Sequence, residues 1–373
     1  MAEQSAATRD LQYYNELLAS AESIRGVSLW QDAWKRLKRN RAPYYSLWFL
    51  VVLGVSALLT PLFPLQAPRK LDIANRQFHP PVLYPPLIDD LQLKQLPRGA
   101  YQQRVSTLFG DLNVFDRQLL SIRLFIFGDY SINSICGSDE LGRDILSRLF
   151  WGARVSLLVG VVAAFVSLLI GVSYGAISGY LGGRIDNLMM RIVDVLYSIP
   201  FIFVVIFLLT ILNEDSIKSN MRAMGIDRIM IFYVVIGAIY WLTMARVVRG
   251  QVLSLKHEQF VEAARTIGAS RIRIIFRHLV PNSLSVVIVY LTLTIPNVML
   301  FEAFLSFLGL GVEPPDVSWG LLANAGIRVV TPVKIYWWLV LYPGLALAST
   351  LFALNFLGDG LRDALDPRMK NRS

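Results

Sequence analysis

One cysteine, Cys136, stands among 373 residues. No internal disulfide can form, and a lone thiol supplies no metal-site spacing. Histidine is as scarce, with only His79, His257 and His278. That is too few for the His, Asp and Glu clusters that a membrane-embedded enzyme sets on facing helices, and nothing calls for a metal or a cofactor. No G-x-x-x-x-G-K-[ST] stretch is present, so the chain has no phosphate loop of its own with which to hydrolyse ATP. Charged residues make up 17% of the chain, against about a quarter in soluble proteins. The basic residues are not interleaved with aromatics, which excludes nucleic acid as an expected partner. No internal repeat stands out.

What the chain has in abundance is apolar residue, 54% of it, with a mean hydropathy of +0.49. These residues gather in charge-free runs over 42–68, 155–183, 195–213, 229–245, 279–301 and 335–358. Crossing a bilayer core takes about 20 apolar residues at about 1.5 Å rise each. The shortest run, 229–245, is helped by Arg246 and Arg249, which can snorkel to the interface. The pattern predicts an all-α polytopic membrane protein with six transmembrane helices. The span centres carry no charge, which argues against a secondary transporter with charged groups at the bilayer midplane.

The distribution of Lys and Arg orients the spans. The segments 1–43, 182–194, 246–281 and 358–373 together carry 20, whereas the short loops 213–228 and 309–334 carry 5. Both termini are therefore expected on the cytoplasmic side. The net charge of +9 fits this topology and contact with anionic membrane lipid. The organisation expected is a cytoplasmic segment 1–43, a first span 44–64, an external segment 65–152, a membrane core 153–357 and a cytoplasmic tail 358–373. The polar start and the long first apolar run do not match a cleavable signal peptide.

Residues 29–37 suit a short amphipathic helix on the inner membrane face, with Trp30 and Trp34 toward lipid; a solvated basic segment is the other reading. The proline-rich stretch 65–135 is expected to be a small external subdomain or a draped loop. After it comes GSDELGRDILSRLFWGARVSL (137–157). Ser138 or Asp139 can cap an interfacial helix carrying Leu141, Ile145 and Leu149, with a turn into the membrane at Gly152. Gly160, Gly171, Gly175 and Gly179 give the second span a small-residue face for close packing. Arg184, Asp186, Arg191 and Asp194 occupy a short turn at 182–194. Arg191 and Asp194 suit a local i, i+3 pair; a contact of Arg184, Asp186 and Arg191 with a cytoplasmic partner is the alternative. Glu302 follows the fifth run, near the outer interface. An intramembrane carboxylate invites a functional reading, structural or gating in preference to direct substrate contact. Gly309, Gly311 and two prolines follow in an external loop.

The densest signal is EAARTIGASRIRIIFRHLVP (262–281), within a loop at 249–281. A helix from Lys256 to Ile267 is expected to end at Gly268 in the left-handed conformation. Ser270 caps a second helix through Leu279, and Pro281 closes it. Ala263 and Ala264 offer a small surface to a partner, and Glu262, beside Arg265, offers a charge.

These residues resemble the EAA loop of ABC importer permeases. With 137–157, FLSFLGLGVEPPDVSWG (304–320) and LGDGLRDALDPR (357–368), the chain resembles the C-type permease subunit of dipeptide/oligopeptide importers. The resemblance implies the type I importer permease fold in a bacterial inner membrane. It also implies a second homologous permease subunit, two cytoplasmic ATP-binding subunits and an external substrate-binding protein. Glu262, Ala263, Ala264 and Gly268 would sit in the helix that couples to the ATPase, and Gly309 and Gly311 near the mouth of the pathway. The same branch includes importers of nickel complexes, glutathione and modified peptides. The segments 1–43 and 65–135 are longer than is usual in it.

Overall fold

The computed structural model describes residues 29–94, 96–212, 214–223 and 228–365. The expectations for 1–28 and 366–373, and for 224–227 in the third inter-span loop, lie outside the described residues, as does the side chain of Trp30. In chain order the main helices are α1 (Leu29–Arg39), α2 (Arg41–Leu58), α3 (Ile73–Arg76), α4 (Arg98–Phe109), α5 (Val114–Phe127) and α6 (Ile145–Leu181). They are followed by α7 (Gly183–Ser198), α8 (Phe201–Leu212), α9 (Asp215–Ala223), α10 (Arg228–Leu255) and α11 (Gln259–Thr266). The last three are α12 (Arg271–Phe307), α13 (Trp319–Arg328) and α14 (Trp338–Leu365).

Among the described residues, five helical stretches are long and apolar enough to cross a membrane: α2, α6, residues 232–255 of α10, α12 and α14. The remaining apolar run is not a straight span. It is shared between α7 and α8, which meet at 79°. Pro200 explains the break. Its ring removes a helix donor and clashes with the preceding turn, and it pushes Ile199 into an extended conformation, φ −81° and ψ 124°. Counted as one broken span, this pair makes the sixth of the expected spans; the reading of 182–194 as a short turn is corrected, since the helix already begins at Gly183.

The glycine face of α6 packs inside this chain. A Cβ on Gly179 would stand 2.9 Å from the Arg249 carbonyl oxygen on α10, and one on Gly160 would stand 2.8 Å from Ile295 on α12. Such contacts bring backbones together where dispersion between closely fitted helices, rather than water, drives association. Between Gly160 and Gly175, and including Gly171, α6 carries a π-helical turn at Leu168–Val172.

Residues 65–135 form a subdomain with its own core. Leu91, Leu93, Leu108, Phe109, Leu120 and Leu124 are buried together. A short antiparallel pair, β1 (Leu87–Asp89) with β2 (Tyr130–Ile132), closes it, Ile88 opposite Ser131. Buried polar groups pin the subdomain internally and tie the turn that follows it to α6. Arg123 Nη2 donates to the Leu65 carbonyl at 2.6 Å. Asp139 accepts from Arg143 and Arg148. The interfacial helix expected from Ser138 or Asp139 is not there. Asp144 is the cap, its carboxylate accepting from Ser147 N at 2.8 Å, and α6 runs unbroken through Gly152. Residues 138–143 instead form a turn around the Asp139 carboxylate, which accepts from the amides of Leu141 and Arg143.

The amphipathic helix expected near the start is present as α1. Its Ala33 and Leu37 are buried, Leu37 beside Gly360 of α14. Trp34 remains exposed under Lys38 Nζ, 5.1 Å from its ring.

Candidate functional site

The loop between α10 and α12 lies at the end of the bundle opposite the subdomain. Its first helix, α11, ends in a Schellman motif. The Ala269 amide donates to the Ala264 carbonyl at 3.0 Å and the Gly268 amide to the Arg265 carbonyl at 2.9 Å. That closure requires a left-handed residue between helix and exit, and Gly268 supplies it at φ +79°. Ser270 then caps α12, its hydroxyl accepting from Arg273 N at 3.4 Å. The left-handed glycine and serine cap are as the sequence predicts, and the helix runs Gln259–Thr266 rather than from Lys256 to Ile267.

The second helix departs from expectation. It does not end at Pro281 but continues as one rod from Arg271 to Phe307. Just before the proline it widens into a π-helical turn, Ile275–Leu279. Proline clashes with the carbonyl four residues back, and the wider turn relieves the crowding. The loop is therefore a rigid extension of a spanning helix.

One side of the loop is apolar and buried. Val261, Ala264, Ile274, Ile275 and Leu279 pack with Val172, Ala176, Val248 and Val252 of α6 and α10. Ala264 thus faces inward, and only Ala263 of the expected small surface faces out. Glu262 is 55% exposed, and its Oε1 accepts from Arg265 Nη1 at 2.7 Å, so its charge is already shared. Arg265 also lies over the Tyr180 ring, 5.5 Å from its centre. The outward tip carries Ile267, 84% exposed, and Ile272, 72% exposed. The sequence reading did not single these out. Their signal is an isoleucine directly after one helix end and another in the first turn of the next helix.

The second group, Arg184, Asp186 and Arg191, is not one surface. Arg184 and Arg191 are exposed, but Asp186 is buried. Arg249 of α10 reaches it with Nε and Nη2, each at 2.6 Å, and the Ser178 hydroxyl donates to the same carboxylate. Asp186 therefore joins α6, α7 and α10 and is not free for a partner. Asp194 does not pair with Arg191. Arg246 Nη2 donates to it at 2.7 Å and stacks over Tyr197.

At the subdomain end, Glu302 is fully buried. The Ser306 hydroxyl donates to it at 2.7 Å and the Ser156 hydroxyl of α6 at 3.4 Å. Trp319 N donates to Ser156 Oγ and Val312 N to Ser306 Oγ, each at 3.2 Å. The carboxylate is thus the centre of a polar knot tying α6, α12 and α13. Gly309, φ +78°, turns the chain after α12, and Gly311 presses against Ser306. Neither glycine shares a surface with the loop at the other end. Burial pushes the Cys136 thiol up to about 12, leaving it protonated and unreactive at neutral pH.

Residues 171–371 match the family described as binding-protein-dependent transport system inner membrane component. Residues 28–81 match the N-terminal TM domain of oligopeptide transport permease C. The dipeptide transport system permease protein DppC of Bacillus subtilis is 36% identical over 94% of this chain and 90% of its own length. The oligopeptide transport system permease proteins OppC of Haemophilus influenzae and Escherichia coli are each 39% identical over 92% of this chain, covering 90% and 93% of those proteins. A solved structure of the MetNI methionine ABC transporter in an inward-facing conformation aligns with TM-score 0.45 at 17% identity, covering 58% of this chain and 94% of that one. On the first of these matches and on the full-length relatives, the chain is a multi-pass bacterial inner-membrane protein and belongs to the family of inner membrane components of binding-protein-dependent transport systems.

Proposed function

We propose that this chain is a translocation subunit that passes peptides of the dipeptide and oligopeptide class from an external binding protein to the cytoplasm, driven by ATP hydrolysis in partner subunits. The carrying observation is the architecture of the α10–α12 loop. Its inner side is packed against α6 and α10, while Ile267 and Ile272 stand in the open. An exposed apolar tip on a rigid base suits a groove in a moving partner. A push on that tip reaches the membrane through α12, which stays helical from Arg271 to Phe307. The names of the relatives supply the substrate class. In this reading the loop and both termini are cytoplasmic, and two ATP-binding subunits and a second permease complete the assembly. Glu262, Ala263, Arg265 and Gly268 then belong to the coupling surface, with Ala264 holding it in place. Arg184 and Arg191 lie exposed beside the start of α7 as a further contact.

The test is uptake of a labelled tripeptide into vesicles holding the assembled complex, with ATP inside. Ile267→Asp and Ile272→Asp together place charge on the docking tip. Insertion and assembly of the two permeases are expected to be unchanged, with uptake and ATPase stimulation lost. Normal uptake by this double variant would remove the loop from the mechanism. Uptake of glutathione or a nickel chelate in preference to peptides would replace the substrate class and leave the coupling role intact.

A further inference from the structure

Helix α5 of the subdomain is apolar on its outside as well as its inside. Leu119, Leu120 and Leu124 are buried, together with Asp116 and Arg123. The other half of the helix is exposed and divides in two. At about 100° per residue, Phe125, Ile122, Phe115 and Ile126 fall in one sector, which also holds the single polar residue Gln118 and is edged by Val114, and Ser121 and Arg117 fall in the other. Phe125 is 89% exposed and Ile126 59%. A helix of a water-bathed subdomain would carry polar residues at those positions.

The depth of α5 is fixed by its anchor. Arg154 Nη2 of α6 reaches both carboxylate oxygens of Asp116, at 2.7 and 2.9 Å. Arg154 is the last charge before the run 155–183. At the far end of that run, Ser178 meets the Asp186–Arg249 pair. From Arg154 to Ser178 the helix rises about 36 Å, which is the hydrocarbon core of about 30 Å plus its margins. Arg154 therefore stands at a membrane boundary and holds Asp116 there. Within the subdomain, Arg123 bonds the carbonyl of Leu65, which follows shortly after the spanning helix α2 ends at Leu58. The exposed residues of α2, Val51, Val52, Val55 and Leu58, approach the same boundary from the membrane side.

We infer that α5 is an interfacial lipid anchor. Phe115, Ile122, Phe125 and Ile126 enter the boundary between headgroups and acyl chains, and Ser121 and Arg117 face water. Four large apolar side chains on one exposed side, with a single polar residue among them and Ser121 and Arg117 at its edge, are what an interfacial helix presents to lipid. A protein interface would not demand that the helix sit at this depth. The inference is independent of what the protein transports.

The experiment uses the full chain in its assembled complex, in vesicles of phosphatidylcholine and phosphatidylglycerol. Single cysteines replace Phe115, Ser121, Ile122, Phe125 and Ile126 in turn and carry a nitroxide. Cys136 is buried and stays in place, its background taken from the unsubstituted chain. Collision with oxygen, which dissolves in lipid, is compared with collision with a water-soluble nickel chelate. Labels at Ile122, Phe125 and Ile126 are expected to meet oxygen severalfold more than the chelate, and the Ser121 label the reverse. Free access of the chelate to Phe125 and Ile126 would put the face in water and overturn the inference. Exclusion of both reagents in the complex would assign the face to a protein partner and overturn it equally.

Discussion

Near one end of α12, Gly311 lies against Ser306 so closely that a Cβ would stand 2.6 Å from the Ser306 Cα. At the other end, Gly268 has no atom within 4 Å of where its Cβ would be, but its φ is +79°. The first glycine is there for space and the second for backbone conformation. The regions around them differ in the same way. Around Gly311 the polar groups are inside, with Glu302, Ser156, Ser306 and Ser318 all buried. Around Gly268 the apolar groups form the base and the charges are outside. The subdomain end is therefore locked by hydrogen bonds that water does not reach, and the loop end presents a surface. This contrast suits a subunit whose helices are braced internally at one end and engaged by a partner at the other.

The contrast breaks most sharply at Asp186, the one buried ion pair of the loop end described above. Arg249→Ala would leave the Asp186 carboxylate buried without its cation. Removing one partner of a buried pair costs about 3 kcal/mol or more. Because Arg249 is 32% exposed, the low end of that range is expected, read as a lowered thermal midpoint in detergent. Arg249→Lys should recover only part of it, since lysine cannot reproduce the two-pronged contact. An unchanged midpoint would mean that this end is held by apolar packing alone.

The two glycines sharpen the comparison. Gly311→Ala is expected to cost about 1–3 kcal/mol by overpacking. Gly268→Ala should cost about 1–2 kcal/mol through its left-handed backbone. Asparagine separates the causes. It tolerates the left-handed region, so Gly268→Asn should be nearly neutral, whereas Gly311→Asn should be worse than alanine. Equal effects of asparagine at both sites would erase the distinction.

A smaller effect is expected from pH at the subdomain end. Burial raises the Asp144 carboxyl to about 6, against the pull of its bonds from Ser147 and Ser134 and of the Arg76 charge. Its folded value thus lies above the ordinary carboxylate value of about 3.9. The folded state binds the extra proton, so this contribution to stability is present at low pH and is lost as pH rises through about 6. The thermal midpoint should rise between pH 7 and pH 5, and Asp144→Asn should remove that part of the rise. An identical pH profile in the variant would show that other groups carry it.

The smallest effect on stability belongs to Glu262. Its bond to Arg265 is exposed, and such pairs are worth about 0–1 kcal/mol. Glu262→Lys should leave the midpoint within about 0.5 kcal/mol of the original, while uptake falls if the proposed coupling holds. A clear loss of stability would make Glu262 part of the fold.

Much of this was legible in the chain itself. Apolar runs set by the thickness of a bilayer marked the spans, because hydrocarbon tolerates neither charge nor unpaired backbone. Gly268 and Ser270 were readable because helix ends are local events, decided by a few residues and their own backbone bonds. Pro200 carried a readable break that span length alone concealed. By contrast, nothing local told Ala263 from Ala264. The side that faces inward was set by α6 and α10, distant in sequence. Arg191 and Asp194 had the spacing of a pair, yet Arg246, 52 residues from Asp194, took the carboxylate. Asp186 found Arg249 over 63 residues in the same manner. Sequence determined which stretches can cross a membrane and where Gly268 and Ser270 bracket a helix end, since those depend on composition and short-range hydrogen bonds. Only the tertiary structure decided which side chains are available, because burial and pairing depend on what the rest of the chain brings alongside.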